Sequence, residues 1–175
     1  MYREKYMDPE PILENLSKKF GIKPNFSGCK IKVFIQKNSA CISPSLKKIY
    51  AWDKAELRHE LTHLLFYQLN KQAPFSLREG IAIYGEVNNN IGYASKVKLE
   101  SILDLEKAYQ KIKSLSKNLY RRRPTQSLES KLYSQGFSFV NFLIRKKGIE
   151  VFKEFYKKCK GFYNIKEAYQ YFYKE

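Results

Sequence analysis

The sequence predicts an α+β fold: a small antiparallel or mixed sheet near the N-terminus, followed by a mostly helical body. Three observations carry this. Residues 30–36 read KIKVFIQ, an alternation of polar and apolar positions rich in β-branched residues, as a half-buried strand requires. Residues 54–70 read KAELRHELTHLLFYQLN, with no Gly or Pro and with leucines at three- and four-residue spacing, as an amphipathic helix requires. From about residue 94 to 173, apolar residues recur largely at helical spacing.

The elements follow in order. Residues 9–20 (PEPILENLSKKF) are expected to form a short packing helix with Ile12, Leu13, Leu16 and Phe20 inward, stopped by Gly21. The strand at 30–36 turns at Asn38-Ser39 into a second short strand at 40–43, and a third follows at 47–52, so the sheet occupies about 30–52. Which strand lies at the edge is not encoded. Asp53 is placed to cap the next helix, because its carboxylate can accept from a first-turn amide. Gln72-Ala73-Pro74-Phe75 breaks that helix, and Ser76 is expected to cap a second one carrying Glu79 in its first turn, the pair covering about 54–87.

Further along, Asn88–Gly92 is expected as a loop, since Asn and Gly tolerate positive φ. A helix is expected over Ser95–Tyr109, with a short one before Arg121. Ser127–Lys147 is a strong, largely buried helix stopped by Gly148; Ser134, Gly136 and Ser138 would let it approach the 54–70 helix closely. Ile149–Lys158 and Ile165–Tyr173 complete the helical part at about 94–173, with Phe152, Phe155, Tyr156, Tyr169 and Phe172 closing the core.

At 175 residues the chain fits one domain, 1–175, and no repeat, low-complexity tract or linker divides it. A hydrophobic content of 43% marks it as globular and argues against disorder. The formal net charge of +16 could attract nucleic acid, an anionic surface or an acidic substrate. Its lysines are spread over nearly every segment, however, and Arg121-Arg122-Arg123 is the one dense cluster, so nucleic acid is not expected as a partner. Cys29, Cys41 and Cys159 make neither a CxxC pattern nor a disulfide framework and read as free thiols in a reducing compartment. The N-terminal stretch lacks the apolar core of a secretion signal, and no segment approaches 18 consecutive apolar residues, so no membrane span and a cytoplasmic location are expected.

The chemistry concentrates in His59-Glu60-Leu61-Thr62-His63, which holds both histidines of the chain. At 3.6 residues per turn His59 and His63 share one helix face, where each imidazole can give a nitrogen to the same metal ion. Glu60 lies about a quarter-turn away, off the metal but within reach of a water, as a general base must be. A catalytic zinc site takes three protein ligands and keeps one position open. Glu79, sixteen residues after His63 and followed by the small Gly80 and Ala82, fits as the third.

HELTH followed by LREGIAIY resembles the gluzincins, zinc peptidases in which a glutamate on a second helix completes the metal site, with thermolysin-like and aminopeptidase-N-like enzymes among them. The resemblance implies a zincin-like, peptidase MA-like domain with one Zn2+ per chain on His59, His63 and Glu79. It also implies Glu60 as general base and a peptide or protein as substrate, cut by endopeptidase action. Tyr133-Ser134-Gln135-Gly136-Phe137 is similar to the Tyr-x-x-Gly segment of aminopeptidase-N-like proteins, which would make Tyr133 the oxyanion donor. The Gly-x-Met-x-Asn segment with which those aminopeptidases hold a free amine does not occur before His59, so their specificity does not carry over. Two other readings compete. One is a latent or non-catalytic zinc-binding form of the same fold, its cleft plugged by the tyrosine-rich C-terminus. The other is a basic nucleic-acid-binding module in which HELTH is incidental.

Overall fold

The computed structural model describes residues 7–25, 32–35, 41–43, 48–51, 53–86, 98–116, 126–161 and 164–173. The described residues are predominantly helical, with six helices and three short strands. Helix α1, Glu10–Phe20, ends at Gly21, whose φ of 60° is a conformation glycine adopts without penalty. The Ile22 amide returns to the Ser17 carbonyl at 3.2 Å, and Ser17 Oγ donates to the Ile22 carbonyl, which locks the turn. Leu16 and Phe20 are fully buried, and Ile12 and Leu13 pack against the same core.

Strands β1 (Lys32–Ile35), β2 (Cys41–Ser43) and β3 (Lys48–Ala51) form one sheet in the order β1-β3-β2. β3 is central, parallel to β1 with Val33 opposite Ile49, and antiparallel to β2 with Ile42 opposite Ile49. Val33, Ile49 and Ala51 are buried, so one face of the sheet lies on the core. Among the described residues β1 and β2 are the two edges.

Helix α2 (Lys54–Leu69) starts as the sequence requires: Asp53 Oδ1 accepts from the Glu56 amide at 2.9 Å. Leu57, Leu61 and Leu65 are fully buried, and Phe66 meets Phe20 edge-on at 5.0 Å and Tyr156 at 5.1 Å. Asn70 then closes two helices together. Its amide N–H caps α2 on the Phe66 carbonyl, and its Nδ2 donates to the Tyr156 and Cys159 carbonyls at the end of a later helix.

Helix α3 spans Phe75–Glu86, so its start departs from the expected one. Ser76 is inside the first turn and does not cap it; Glu79 sits one turn in. The cap comes from far away in sequence: the Ser76 amide donates to Oε1 of Glu106, a fully buried carboxylate on the helix over Leu99–Ser116. A carboxylate at a helix N-terminus is favoured by the dipole and by the unpaired amides there. Helix α4 runs from Leu99 to Ser116 as one element, beyond the expected end at Tyr109. Phe75 stacks on Tyr109 with centroids 4.6 Å apart, which ties α4 to the same end of α3.

Helix α5 covers Gln126–Lys158 with a break at Gly148, where φ is 83° and ψ 168°. The glycine stop is therefore real, but the chain re-enters a helix at once. Gly136 of α5 crosses α3, not α2 as expected. A Cβ at Gly136 would strike the Ser76 carbonyl, and one at Gly80 would strike the carbonyl of Gly136. The two glycines thus permit a backbone-to-backbone crossing under the Glu79 turn. Helix α6 (Ile165–Tyr173) packs Tyr169 and Tyr173 inward, Tyr169 stacked on Phe139 and Tyr173 edge-on to Phe155 at 5.4 Å, while Tyr171 stays exposed. Tyr169 and Tyr173 thus serve core closure, as expected of the terminal helices, and not the plug of the latent-form alternative.

Cys159 is free and buried, and burial pushes its thiol well above the usual range. Cys29, Asn88–Gly92 and Arg121–Arg123 lie outside the described residues. Among the described residues no helix is long and apolar enough to cross a membrane.

Candidate metal centre

Two adjacent helices build the site. α2 presents His59 and His63 one turn apart, and α3 presents Glu79 to them. A Cβ at Gly85 would fall on Thr62 Oγ1, so Gly85 lets α3 lie this close to α2. Thr62 is itself buried and bonded back to the Arg58 carbonyl at 2.8 Å.

The three ligand atoms make a nearly equilateral triangle. His59 Nε2 is 3.1 Å from His63 Nε2, which is 3.2 Å from Glu79 Oε2, and Glu79 Oε2 is 3.4 Å from His59 Nε2. A tetrahedral ion with bonds of about 2.0–2.1 Å separates its ligand atoms by about 3.3 Å. The triangle therefore has the size of one face of such a coordination shell, and His59, His63 and Glu79 could together hold a metal ion. The side chains are 13%, 18% and 10% exposed, so the site is shielded but not sealed from solvent.

One contributor escaped the sequence. Glu86, two turns after Glu79 on α3, places Oε2 3.3 Å from His59 Nδ1. A carboxylate on the far ring nitrogen favours the tautomer that carries its proton there, and so frees Nε2 as the ligand atom. The i, i+7 spacing from Glu79 is the only trace of this in the sequence, and it does not distinguish Glu86 from any exposed acid. Glu86→Gln is expected to weaken metal binding by about 10- to 100-fold, read by competition with a chromophoric chelator; unchanged affinity would mean that Glu86 does not orient His59.

The electrostatics follow from burial and proximity. Burial opposes the Glu79 charge, but hydrogen bonds from His59 and His63 outweigh it and hold the carboxyl down at about 2. His59 is raised despite its burial, through Glu79, Glu60 and Glu86. Glu60 is 5% exposed, and burial pushes it up to about 7, against His59 and with Glu79 and Glu56 adding. It hydrogen-bonds neither histidine nor Glu79 in the triangle, which leaves it beside the ligands without being one.

Tyr133, at the α5 turn that crosses α3, lies near enough to Glu79 to feel its charge. Burial, then the Glu79 charge, raise its phenol far above the usual range, so its hydroxyl remains a proton donor at neutral pH. Its ring meets Phe75 edge-on at 5.6 Å, and about a third of the residue (36%) stays exposed. All five residues singled out in the sequence, His59, Glu60, His63, Glu79 and Tyr133, therefore converge on one place, joined by Glu86 and underpinned by Glu106. Comparison with protein-family models, with curated proteins and with solved structures gives no match. The chemistry of the site must carry the functional assignment by itself.

Proposed function

We propose that the protein is a zinc-dependent peptidase of the gluzincin type, with a zincin-like fold, acting as an endopeptidase on peptide or protein substrates. The observation that carries this is the triangle of His59 Nε2, His63 Nε2 and Glu79 Oε2, with sides of 3.1–3.4 Å beside a buried acid on the same helix. Two imidazoles and one carboxylate are a donor set of catalytic zinc, which keeps a fourth position for water or substrate. Held there, zinc would polarise a scissile carbonyl and make water a nucleophile near neutral pH.

The chain's own residues do the rest. Glu60 accepts the proton of the attacking water and returns it to the leaving amine. Tyr133 donates its hydroxyl to the oxygen on which negative charge develops. Glu86 keeps His59 in the ligating tautomer. β2, an edge strand among the described residues and beside α2, would offer backbone groups to an extended substrate.

Hydrolysis of denatured casein tests this: it should occur with the zinc-loaded protein, stop with a chelator and resume on adding zinc. Tyr133→Phe should slow it by about 100-fold with metal content unchanged. An equal rate would move the oxyanion role elsewhere. Intact casein in the presence of one bound zinc would favour the non-catalytic form.

A further inference from the structure

Helix α3 carries the third candidate ligand, yet its own sequence does not fix its start. The residue before it is Pro74, whose carbonyl accepts from the Arg78 amide at 3.0 Å. A proline side chain has no acceptor for the unpaired amides of a first turn. α4 supplies one instead. Oε1 of the fully buried Glu106 takes the Ser76 amide, and Tyr109, three residues on and therefore on the same face of α4, stacks on Phe75 at 4.6 Å. From another side α5 comes so close that a Cβ at Gly136 would strike the Ser76 carbonyl. Ser76 is thus confined at both of its backbone groups, and Glu79 follows within one turn.

We propose that Glu106 is a positioning residue for the metal centre: by holding the Ser76 amide it sets where α3 stands along α2, and so where Glu79 Oε2 stands against His59 and His63. This role rests on the reading that the triangle holds a metal ion. First-turn amides point out along the helix axis, so a bond to one of them resists sliding of the helix along that axis. The close approaches at Gly80 and Gly85 act across the axis instead and set how near α3 comes to α5 and to α2. The charge-assisted bond from Glu106 is the directional one among these contacts.

Magnitudes make the axial position decisive. A helix rises by about 1.5 Å per residue, whereas ligand distances in a metal site hold within about 0.2 Å. Sliding α3 by a small part of one residue therefore moves Glu79 Oε2 out of a corner whose sides are 3.2 and 3.4 Å. The Phe75–Tyr109 stack alone would not register α3 in this way, because offset stacking tolerates lateral slip. The burial of Glu106 fits the same role. A carboxylate is costly to bury, and the amides and dipole at a helix start are what compensate it.

Two variants of the full chain separate reach from charge. Glu106→Gln keeps the acceptor oxygen in place and removes the charge; Glu106→Asp keeps the charge and withdraws the oxygen by one methylene. Zinc affinity is read by competition with a chromophoric chelator, and coordination geometry by the visible spectrum of bound cobalt(II). Positioning predicts that Glu106→Gln stays within about threefold of the parent affinity with the parental cobalt spectrum, whereas Glu106→Asp falls by about tenfold or more with an altered spectrum. Binding by Glu106→Asp as tight as, or tighter than, that of Glu106→Gln would overturn the positioning role. So would an equal loss in Ala168→Gly, which loosens the buried face of α6, since general loosening would then explain both. A parent chain that takes up neither zinc nor cobalt would instead fail the metal centre itself, and the positioning of Glu79 with it.

Discussion

Glu60→Gln is expected to leave the metal in place and lower peptide hydrolysis by about 10²- to 10⁴-fold, the usual contribution of a positioned general base. Glutamine keeps the shape of the side chain, so the packing of α2 around this buried position is preserved. What it loses is the ability to take a proton from water. Elemental mass spectrometry of the variant, run beside turnover on a fluorogenic peptide, separates the two effects. A variant as active as the parent would remove Glu60 from the mechanism, whereas one that loses metal would make Glu60 a structural support of the site.

Glu79→Ala should act on the metal itself. It removes one corner of the triangle and leaves two imidazoles, whose Nε2 atoms are 3.1 Å apart, to hold the ion alone. Metal affinity should fall by more than about 100-fold, beyond what an outer hydrogen-bonding partner commands. The fold should survive, because α3 is anchored by the fully buried Leu77, Ile81 and Ala82 and by the Glu106 cap at the Ser76 amide. A chelator-competition titration with a circular-dichroism melt reads both quantities. Unchanged affinity with an unchanged melt would take Glu79 out of the ligand set.

What the sequence disclosed about this site is what local geometry determines. His59 and His63 are four residues apart on a helix with an evident cap, and that spacing alone sets them on one face. Glu79 could be found because the break at 72–75 is short and the residues after it are small. Glu86 could not, because its role depends on how α3 lies across α2, and an acid two turns from another acid is ordinary on a helix surface. Glu106 was further out of reach, since its partner amide is 30 residues away and no periodic pattern links a capping carboxylate to a helix it does not belong to.

The fold divides along the same line. The strands at 32–35 and 48–51 lie within segments marked by alternation, yet the central place of β3 and the parallel pairing of β1 are long-range choices. Gly80 and Gly136 were each visible as small residues at a close approach. That they meet each other, carbonyl against backbone, is set by the α3–α5 crossing and could only be seen once both helices were in place. The same crossing brings Tyr133, three residues before Gly136, to Glu79, which explains why a tyrosine far along the chain reaches the candidate centre.

The most direct measurement is the metal content of the protein purified without chelators and then equilibrated with zinc. About one zinc per chain, bound by the unmodified protein and lost from Glu79→Ala, is the result predicted by the triangle of His59, His63 and Glu79. Protein that carries no transition metal and takes up none on adding zinc would contradict it, and would leave the short contacts between these side chains without a metal to explain them.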